Sequence, residues 1–407
     1  MASLGRRLAG ALASLVKQPQ SKEYKLALPA GYPASQIMVR LSLPSVPAFQ
    51  GFEFAEHAMN EMGEPTRTVL AATGKGFAVS DDLGVHWRTV TLKSDANLHM
   101  TNVTSLGDGE FLAQARPASQ AEHGFYDLLI VDADGHVIDR KPGFGERWHS
   151  CRAVGHAGGT LMYAEYPNNT NRRARSRVLR SRDRARSWET VFERPGNAMR
   201  HFHFLQPRTD VPGEWWLTSG DMPEESRVWI SRDDGDSWND LTEKAGTILS
   251  TGGETFQRSV FRLTDLAWQG NEIIWGTDDR LGDAGARVFR SPIADPLAPR
   301  LIGAGNWHFR SIVEVGDFYI LASQGCPTPS GKADPRPGVY LAPKKPVAGA
   351  PELFPLFDIE MLGPKRTKFT SSRASRKALD GTFFSFRGKD DVFAGGPRLL
   401  KWQVTFS

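Results

Sequence analysis

The stretch Ser231-Arg232-Asp233-Asp234-Gly235-Asp236-Ser237-Trp238 places three aspartates, a glycine and a tryptophan within eight residues. Taken alone, it could be a metal site, a catalytic carboxylate pair or a structural turn. Two further copies help to decide: residues 80–87 read SDDLGVHW and residues 181–188 read SRDRARSW. Each copy begins with serine, has aspartate third and ends with tryptophan. This recurrence indicates a repeated structural element.

Each copy lies between two strand-like runs, such as GFAV before the first copy and RTVTL after it, and therefore predicts a hairpin turn. An aspartate in a turn accepts hydrogen bonds from backbone N–H groups that follow it. The glycine, replaced by Ala185 in the middle copy, provides a positive φ angle. We expect the tryptophan ring to pack beneath the turn. The predicted structural residues are Asp82, Asp183, Asp233, Trp87, Trp188 and Trp238.

The three copies resemble the Asp-box, or bacterial neuraminidase repeat, Ser/Thr-x-Asp-x-Gly-x-Ser/Thr-Trp. From about residue 51 to its end, the chain is similar to Asp-box proteins of the sialidase-like superfamily. The resemblance implies a β-propeller in which the boxes are turns remote from the active site, and it implies action on glycans. Sialidases also carry an Arg-Ile-Pro motif near the N-terminus. The nearest string here, VRLSLP at residues 39–44, has a wider spacing between its arginine and its proline.

The composition favours an all-β fold. The 407 residues include 40 glycines, 26 prolines and 11 tryptophans, which suits short strands joined by many turns. A second repeat, in which a polar-tipped strand leads through a short turn to an aromatic-rich strand, begins near residues 51, 99, 148, 200, 262, 307 and 368. This spacing is typical of propeller blades. We predict seven four-stranded antiparallel blades, with six blades as the alternative.

The last unit contains three strands before the chain ends. Its fourth strand could come from YKLAL or QIMVRLSL near the N-terminus, which would close the ring and remove an open sheet edge. We therefore predict one propeller domain over residues 36–407, closed by an N-terminal strand. Residues 1–35 are predicted to form an N-terminal helix or extension.

Propeller topology predicts which polar residues meet. First strands begin, and second strands end, at the mouth of the central channel, opposite the Asp-box turns. This placement selects as catalytic candidates His149, His201, His203, Tyr166, Asp221 and Asp278, and as substrate-binding candidates Arg152, Arg200, Arg262, Arg310, His308 and Arg387. For His201 and His203 two interpretations remain open, a metal or substrate pair and two histidines hydrogen-bonded between blades.

Such a mouth suits acid–base chemistry on an anionic sugar. The first functional hypothesis is glycosidic-bond cleavage of an acidic glycan or polysaccharide by a sialidase-like hydrolase. The second is a polysaccharide lyase, in which His or Tyr acts as base and Arg neutralises the substrate carboxylate. The third is a non-catalytic propeller that binds a glycan or a protein.

Net charge, cysteine content and apolar runs limit which partners, cofactors and cellular compartments we expect. The net charge of +4 could assist binding to acidic polymers, but the arginines are scattered along the chain. From the predicted mouth and the glycan-acting resemblance we predict an acidic oligo- or polysaccharide partner and no nucleic acid. The two cysteines, Cys151 and Cys326, provide neither a disulfide scaffold nor a compact metal motif. For the cofactor two alternatives stay open, none at all or a divalent metal ion. No apolar run is long enough for a transmembrane segment. We expect a soluble protein, with a cytoplasmic location favoured and a periplasmic or secreted one as the alternative; no oligomeric state is predicted.

Overall fold

The structure is a computed structural model. It describes residues 21–42, 52–60, 62–94, 97–119, 124–148, 153–244, 248–251, 254–278, 286–305, 308–323, 338–358, 369–370, 377–387 and 398–407. Residues 1–20 of the predicted N-terminal helix or extension lie outside these ranges. Among the described residues there is no helix with the length and apolar character that crossing a bilayer requires.

Strands dominate the described chain. In the first half they are β1 (Ser21–Ala27), β2 (Gln36–Ser42), β3 (Phe52–Met59), β4 (Pro65–Thr73), β5 (Gly76–Ser80), β6 (Arg88–Thr91), β7 (Leu98–Gly107), β8 (Glu110–Pro117), β9 (Tyr126–Val131), β10 (Val137–Gly145), β11 (Val154–Ala157), β12 (Thr160–Ala164), β13 (Ser176–Ser181), β14 (Glu189–Arg194), β15 (Phe202–Pro207) and β16 (Trp215–Ser219). In the second half they are β17 (Arg227–Ser231), β18 (Asn239–Asp240), β19 (Ile248–Thr251), β20 (Glu254–Gln257), β21 (Leu263–Gln269), β22 (Glu272–Thr277), β23 (Ala286–Pro292), β24 (Arg300–Gly305), β25 (Phe309–Val315), β26 (Phe318–Ser323), β27 (Gly338–Pro343), β28 (Phe354–Asp358), β29 (Phe369–Thr370), β30 (Thr382–Arg387) and β31 (Arg398–Phe406). Two short 3-10 helices span Pro223–Glu225 and Arg258–Phe261.

The strands form seven antiparallel blades, which confirms the predicted β-propeller. Blades 1 to 6 are four-stranded sheets made of β3–β6, β7–β10, β11–β14, β15–β18, β21–β24 and β25–β28. The hairpin β19–β20, which the sequence pattern did not reveal, lies between blades 4 and 5 in the chain.

Blade 7 closes the ring with the N-terminal part of the chain. Its strand order is β1-β2-β31-β30-β29, so β2 supplies the fourth strand and β1 adds a fifth. Both candidate strings are therefore used, and β1 falls within the segment predicted as a helix or extension. In β2, Ile37, Val39 and Leu41 are fully buried while the residues between them are exposed. This alternation is typical of a strand with one face in the core.

The hydrophobic core lies between the blades. One buried cluster joins blades 1 and 2, a second joins blades 2, 3 and 4, and others join blades 4 and 5, 5 and 6, 6 and 7, and 7 and 1. The clusters thus follow the ring without interruption. Because each blade buries both faces against neighbours, its middle strands are apolar nearly throughout; β5, β9, β12 and β16 are fully buried.

The three Asp-box segments fold as the predicted turns, each between a third and a fourth strand. In the Ser231 copy, Asp233 Oδ1 accepts a hydrogen bond from the Ser237 N–H at 2.8 Å, and Ser231 Oγ accepts one from the Gly235 N–H at 2.8 Å. The glycine position has a positive φ in every copy, including Ala185 at 68°. Trp188 Nε1 donates to the Ala185 carbonyl at 3.0 Å, which places its indole under the turn.

Blade 2 has a related turn that the motif search missed. Asp132 follows β9, and its Oδ1 accepts hydrogen bonds from the N–H groups of Asp134 and His136 at 2.9 and 2.8 Å. The turn contains Gly135 with φ of 91° but has neither the serine nor the tryptophan of the other copies. The aspartate and the glycine therefore recur in this connection without the serine and the tryptophan.

Candidate functional site

Eight of the predicted site residues meet at the channel end opposite the Asp-box turns. They flank the starts of first strands and the ends of second strands in blades 3 to 6. We call this set the mouth cluster: Tyr166, Arg200, His201, His203, Asp221, Arg262, Asp278 and His308.

Two histidines at the start of β15 form the buried centre of the cluster. His201 Nδ1 lies 3.2 Å from the carbonyl oxygen of Pro167, and His203 Nδ1 lies 3.2 Å from that of Leu263. A carbonyl oxygen only accepts hydrogen bonds, so in each neutral ring Nδ1 carries the proton and Nε2 is the acceptor. The two imidazoles thus bond to blades on either side of their own. A bulge between Phe202 and Phe204 permits this divergence.

Both Nε2 atoms face Asp221, which follows β16. His201 Nε2 lies 3.5 Å from Asp221 Oδ2, and His203 Nε2 lies 3.7 Å from Oδ1. Burial lowers the pKa of His201 well below its usual range, and the nearby His203 lowers it further. His201 is therefore neutral at physiological pH.

Two guanidinium groups hold the Asp221 carboxylate. Arg200 Nη1 donates to Oδ2 at 2.8 Å, and Arg262 Nη2 lies 3.0 Å from Oδ1. Burial raises the pKa of Asp221, but the charge of Arg262 and the hydrogen bond from Arg200 help to bring it below its usual value. Asp221 is therefore ionised at neutral pH.

Arg262 extends the charge network into blades 5 and 6. Its Nη2 also lies 3.4 Å from Asp278 Oδ2, and Asp278 Oδ1 lies 2.5 Å from His308 Nδ1. Asp278 and His308 are 1% and 6% exposed. The result is an alternation of basic and acidic groups that links three blades, from the partly exposed Arg200 to the buried imidazole of His308.

Tyr166 covers the histidine pair from blade 3. Its ring stacks on His201 with centroids 3.7 Å apart and an interplanar angle of 23°. The adjacent Glu165 is turned elsewhere, since Arg177 Nη2 and Nε contact its two oxygens at 2.6 and 2.9 Å. Neighbouring residues on an extended chain diverge, and Tyr166 and Glu165 do so here.

Four predicted residues cannot be assigned to the cluster. His149 and Arg152 lie outside the described residues. The backbones of Arg310 and Arg387 belong to β25 and β30, but their side chains also lie outside the described part of the structure. Their participation in the site stays a prediction.

The sequence reasoning missed a second ion pair beside the cluster. Arg172, from the arginine-rich run at 172–177, contacts Glu225 Oε1 at 2.8 Å, and Glu225 Oε2 accepts a hydrogen bond from the Arg200 N–H at 3.3 Å. Glu225 lies on the 3-10 helix that follows Asp221. The arginine run is visible in the sequence, but its acidic partner lies 53 residues further along the chain and leaves no local pattern.

A cavity of about 330 Å³ lies at the other channel opening, among turns that join first and second strands. Its lining includes Glu64, Trp268, Glu314 and Lys377. Charged groups there are already paired, since Lys377 Nζ donates to Glu64 at 2.7 Å and Lys344 Nζ donates to Glu314 at 2.5 Å. We prefer the mouth cluster as the functional site because its groups are more deeply buried and include an acceptor, His201 Nε2, without a hydrogen-bond partner among the described residues.

Comparisons with known proteins agree with the fold. No protein-family model and no curated protein matches the chain. A chain from a crystal structure of the mitotic checkpoint complex has a TM-score of 0.53 at 11% identity, over 94% of this chain and 98% of that chain. The GH74 xyloglucanase from Xanthomonas campestris has a TM-score of 0.53 at 14% identity, over 90% of this chain and 55% of that chain. YCF48 bound to D1 peptide has a TM-score of 0.52 at 11% identity, over 90% and 96%. Likenesses at such low identity show the fold alone, and the chain is a seven-bladed β-propeller.

Proposed function

We propose that the mouth cluster binds the carboxylate of an acidic polysaccharide and cleaves the adjoining glycosidic bond by β-elimination. The observation that carries the proposal is the alternation of Arg200, Asp221, Arg262, Asp278 and His308 across three blades, which runs from partly exposed groups to buried ones. It places two guanidinium groups, which suit carboxylate recognition, in one network with an imidazole paired to an aspartate.

Elimination fits this network better than hydrolysis does. A glycosidase needs one carboxyl group in its protonated form to donate a proton to the leaving oxygen. Asp221 and Asp278 both contact Arg262, and the pKa of Asp221 is lowered. Carboxylates held by guanidinium groups are poor proton donors at neutral pH.

In the proposed reaction, His308 is the base. Asp278 orients its imidazole and stabilises the imidazolium that forms, as aspartate does for histidine in hydrolytic triads. His308 removes the proton α to the sugar carboxylate, whose charge Arg200 and Arg262 offset. The released electron pair forms a carbon–carbon double bond as the β carbon–oxygen bond breaks. The departing oxygen then takes a proton from water, and the hydroxide that forms takes the proton from the His308 imidazolium.

The test is incubation of the full chain with a panel of uronate-containing polysaccharides, with neutral polysaccharides as controls. New ultraviolet absorbance from the conjugated double bond, together with new reducing ends, is the expected result. Reducing ends without absorbance would replace elimination with hydrolysis, the reaction that the Asp-box resemblance implies. Absence of both signals across the panel would contradict cleavage.

A second candidate function is recognition without chemistry. The charged side chains of the mouth cluster are paired with one another. One structure similar in fold, YCF48, was determined with a peptide bound. Retention of acidic oligosaccharides or peptides without turnover would favour this function.

A further inference from the structure

We propose that His201, His203 and Asp221 bind one divalent first-row transition-metal ion, such as Zn²⁺ or Mn²⁺. One ligand atom from each residue converges at the channel mouth, and the three atoms lie within 4.8 Å of one another. The proposal concerns binding of the ion and holds whether or not the mouth cleaves a saccharide.

The spacing of the three atoms suits an ion of this size. A tetrahedral zinc centre, with ligand bonds of 2.0–2.2 Å, separates its ligand atoms by roughly 3.4 Å. The Nε2 atoms of His201 and His203 lie 3.5 and 3.7 Å from the Asp221 oxygens. Small movements of these side chains would complete the geometry.

The hydrogen bonds behind the histidines set the tautomer that metal binding requires. Metal-bound histidines usually donate the second ring N–H to a carbonyl or carboxylate, which fixes the ring and leaves the other nitrogen as ligand. Here Nδ1 of His201 and of His203 bonds to the carbonyls of Pro167 and Leu263. Each ring thus presents Nε2 to the same carboxylate.

His201 Nε2 also needs a positive partner. It is buried, and within the described chain it has no hydrogen-bond partner. Its lone pair faces a carboxylate oxygen at 3.5 Å, an arrangement of two acceptors that is unfavourable unless a cation or a proton lies between them. A metal ion bound by all three groups would satisfy this acceptor and the Asp221 oxygens together.

The neighbouring arginines limit the affinity but do not block the site. Arg200 and Arg262 each contact one oxygen of Asp221, and a carboxylate oxygen has a second lone pair. Ligating carboxylates commonly keep such hydrogen bonds. Two positive charges repel the ion, so we expect weaker binding than at a site without them. Three protein ligands leave a position open for water or a carboxylate.

The described residues contain a second acidic group, Asp132, Asp134 and His136, which serves as a control. It is largely exposed, and Asp132 already accepts two backbone hydrogen bonds within its hairpin turn. These bonds explain the group as a turn, so we assign it no metal.

The test is isothermal titration of the EDTA-treated full chain with zinc chloride and, separately, manganese chloride. The expected result is one ion per chain, with affinity at least 10-fold lower in His203→Ala and in Asp221→Asn and unchanged in His136→Ala. Unchanged affinity in both ligand variants, or a lack of saturable binding by the wild-type chain, would overturn the proposal.

Either ligand variant could fail to fold, and circular dichroism would reveal this. In that case crystals of the wild-type chain soaked in zinc chloride decide. An anomalous scattering peak between His201, His203 and Asp221 supports the site, whereas a peak only at Asp132 or elsewhere overturns it. These readouts require no catalytic activity, so failure of the proposed elimination would leave them interpretable.

Discussion

At the scale of single residues, environment determines what each side chain of the mouth cluster can do. Asp221, held by two arginines, is an ionised acceptor, and His201 is neutral because it is buried. His308 differs because its partner is the almost fully buried Asp278. Neighbouring groups of the same chemical type thus acquire different roles through their contacts.

His308 therefore provides the most specific test of the proposed chemistry. We expect His308→Gln to reduce kcat for elimination at least 100-fold, since a positioned base contributes about 10²–10⁴. KM should change little, because Arg200 and Arg262 remain. Steady-state kinetics on a uronate polymer measures both constants. The control is His136→Gln, a change of an exposed hairpin histidine, and equal kcat values in the two variants would argue against His308 as the base.

Glu146 gives a prediction about pH. Burial, with repulsion from Glu165, raises its pKa to about 7. In the unfolded chain the group titrates near its usual value of 4.5, so the folded state binds the extra proton between these pH values. The contribution of the Glu146 carboxyl to the free energy of unfolding is therefore complete below pH 4.5, and it is lost as the pH rises through 7.

Glu146→Gln should remove the loss of stability that the ionisation of this carboxyl causes as the pH rises. We expect the variant to be more stable than wild type at pH 8, on the order of 1 kcal/mol because solvent screens the half-exposed carboxyl, with a smaller gain at pH 5. Urea unfolding at the two pH values measures the difference. An identical gain at both would show that the ionisation of Glu146 is not responsible.

At the scale of elements, the Asp-box turns pack each blade against the one before it. In the blade 4 copy, Thr160 of blade 3 donates to Asp234 at 2.5 Å, and Arg180 of blade 3 contacts Asp236 at 2.6 Å. A Cβ at Gly235 would lie 2.6 Å from Met162 Cε, also in blade 3. A side chain at this position would therefore displace Met162 of the neighbouring blade, and the φ of 89° also favours glycine.

Substitutions at two glycines distinguish the effect of contact with blade 3 from the effect of the positive φ angle. Gly235→Ala should lower the free energy of unfolding by about 1–2 kcal/mol more than Gly158→Ala does. Both positions have positive φ, but nothing lies within 4 Å of a Cβ at Gly158, so backbone strain is common to both and the packing differs. Chemical denaturation measures the two variants. Equal losses would mean that the turn does not depend on contact with blade 3.

Much of the arrangement of turns and strands was predictable from the sequence. Turn chemistry repeats locally, so the boxes at Asp82, Asp183 and Asp233 and the seven strand units were recognised from their residues. The bulge between Phe202 and Phe204 was not, and it allows His201 and His203 to bond to different blades. Contacts between side chains of different blades, such as Arg172 with Glu225, depend on how the ring closes and leave no local pattern.

At the scale of the whole molecule, stability depends on closure of the ring. The C-terminal strand β31 pairs with β2, with Val39 opposite Val404 and Leu41 opposite Trp402. The core cluster here contains residues of both chain ends and of blade 6. Opening this junction would expose two blade faces and a sheet edge.

A charge buried in β2 should therefore destabilise the entire propeller. We expect Val39→Asp to lower the free energy of unfolding by more than about 3 kcal/mol, because an unpaired carboxylate would replace an apolar side chain that is 0% exposed. Arg40→Asp, at the exposed neighbouring position, is the control and should have little effect. Thermal unfolding compares the two. A similar small change in both would show that β2 is not essential for closure.

We expect the propeller to act at the channel end opposite its Asp-box turns. The most direct measurement is a crystal structure of the chain with a bound acidic oligosaccharide. We expect a sugar carboxylate at the mouth cluster, in contact with Arg200 or Arg262. Sugar bound instead in the opposite cavity, beside Trp268 and Lys377, would contradict it.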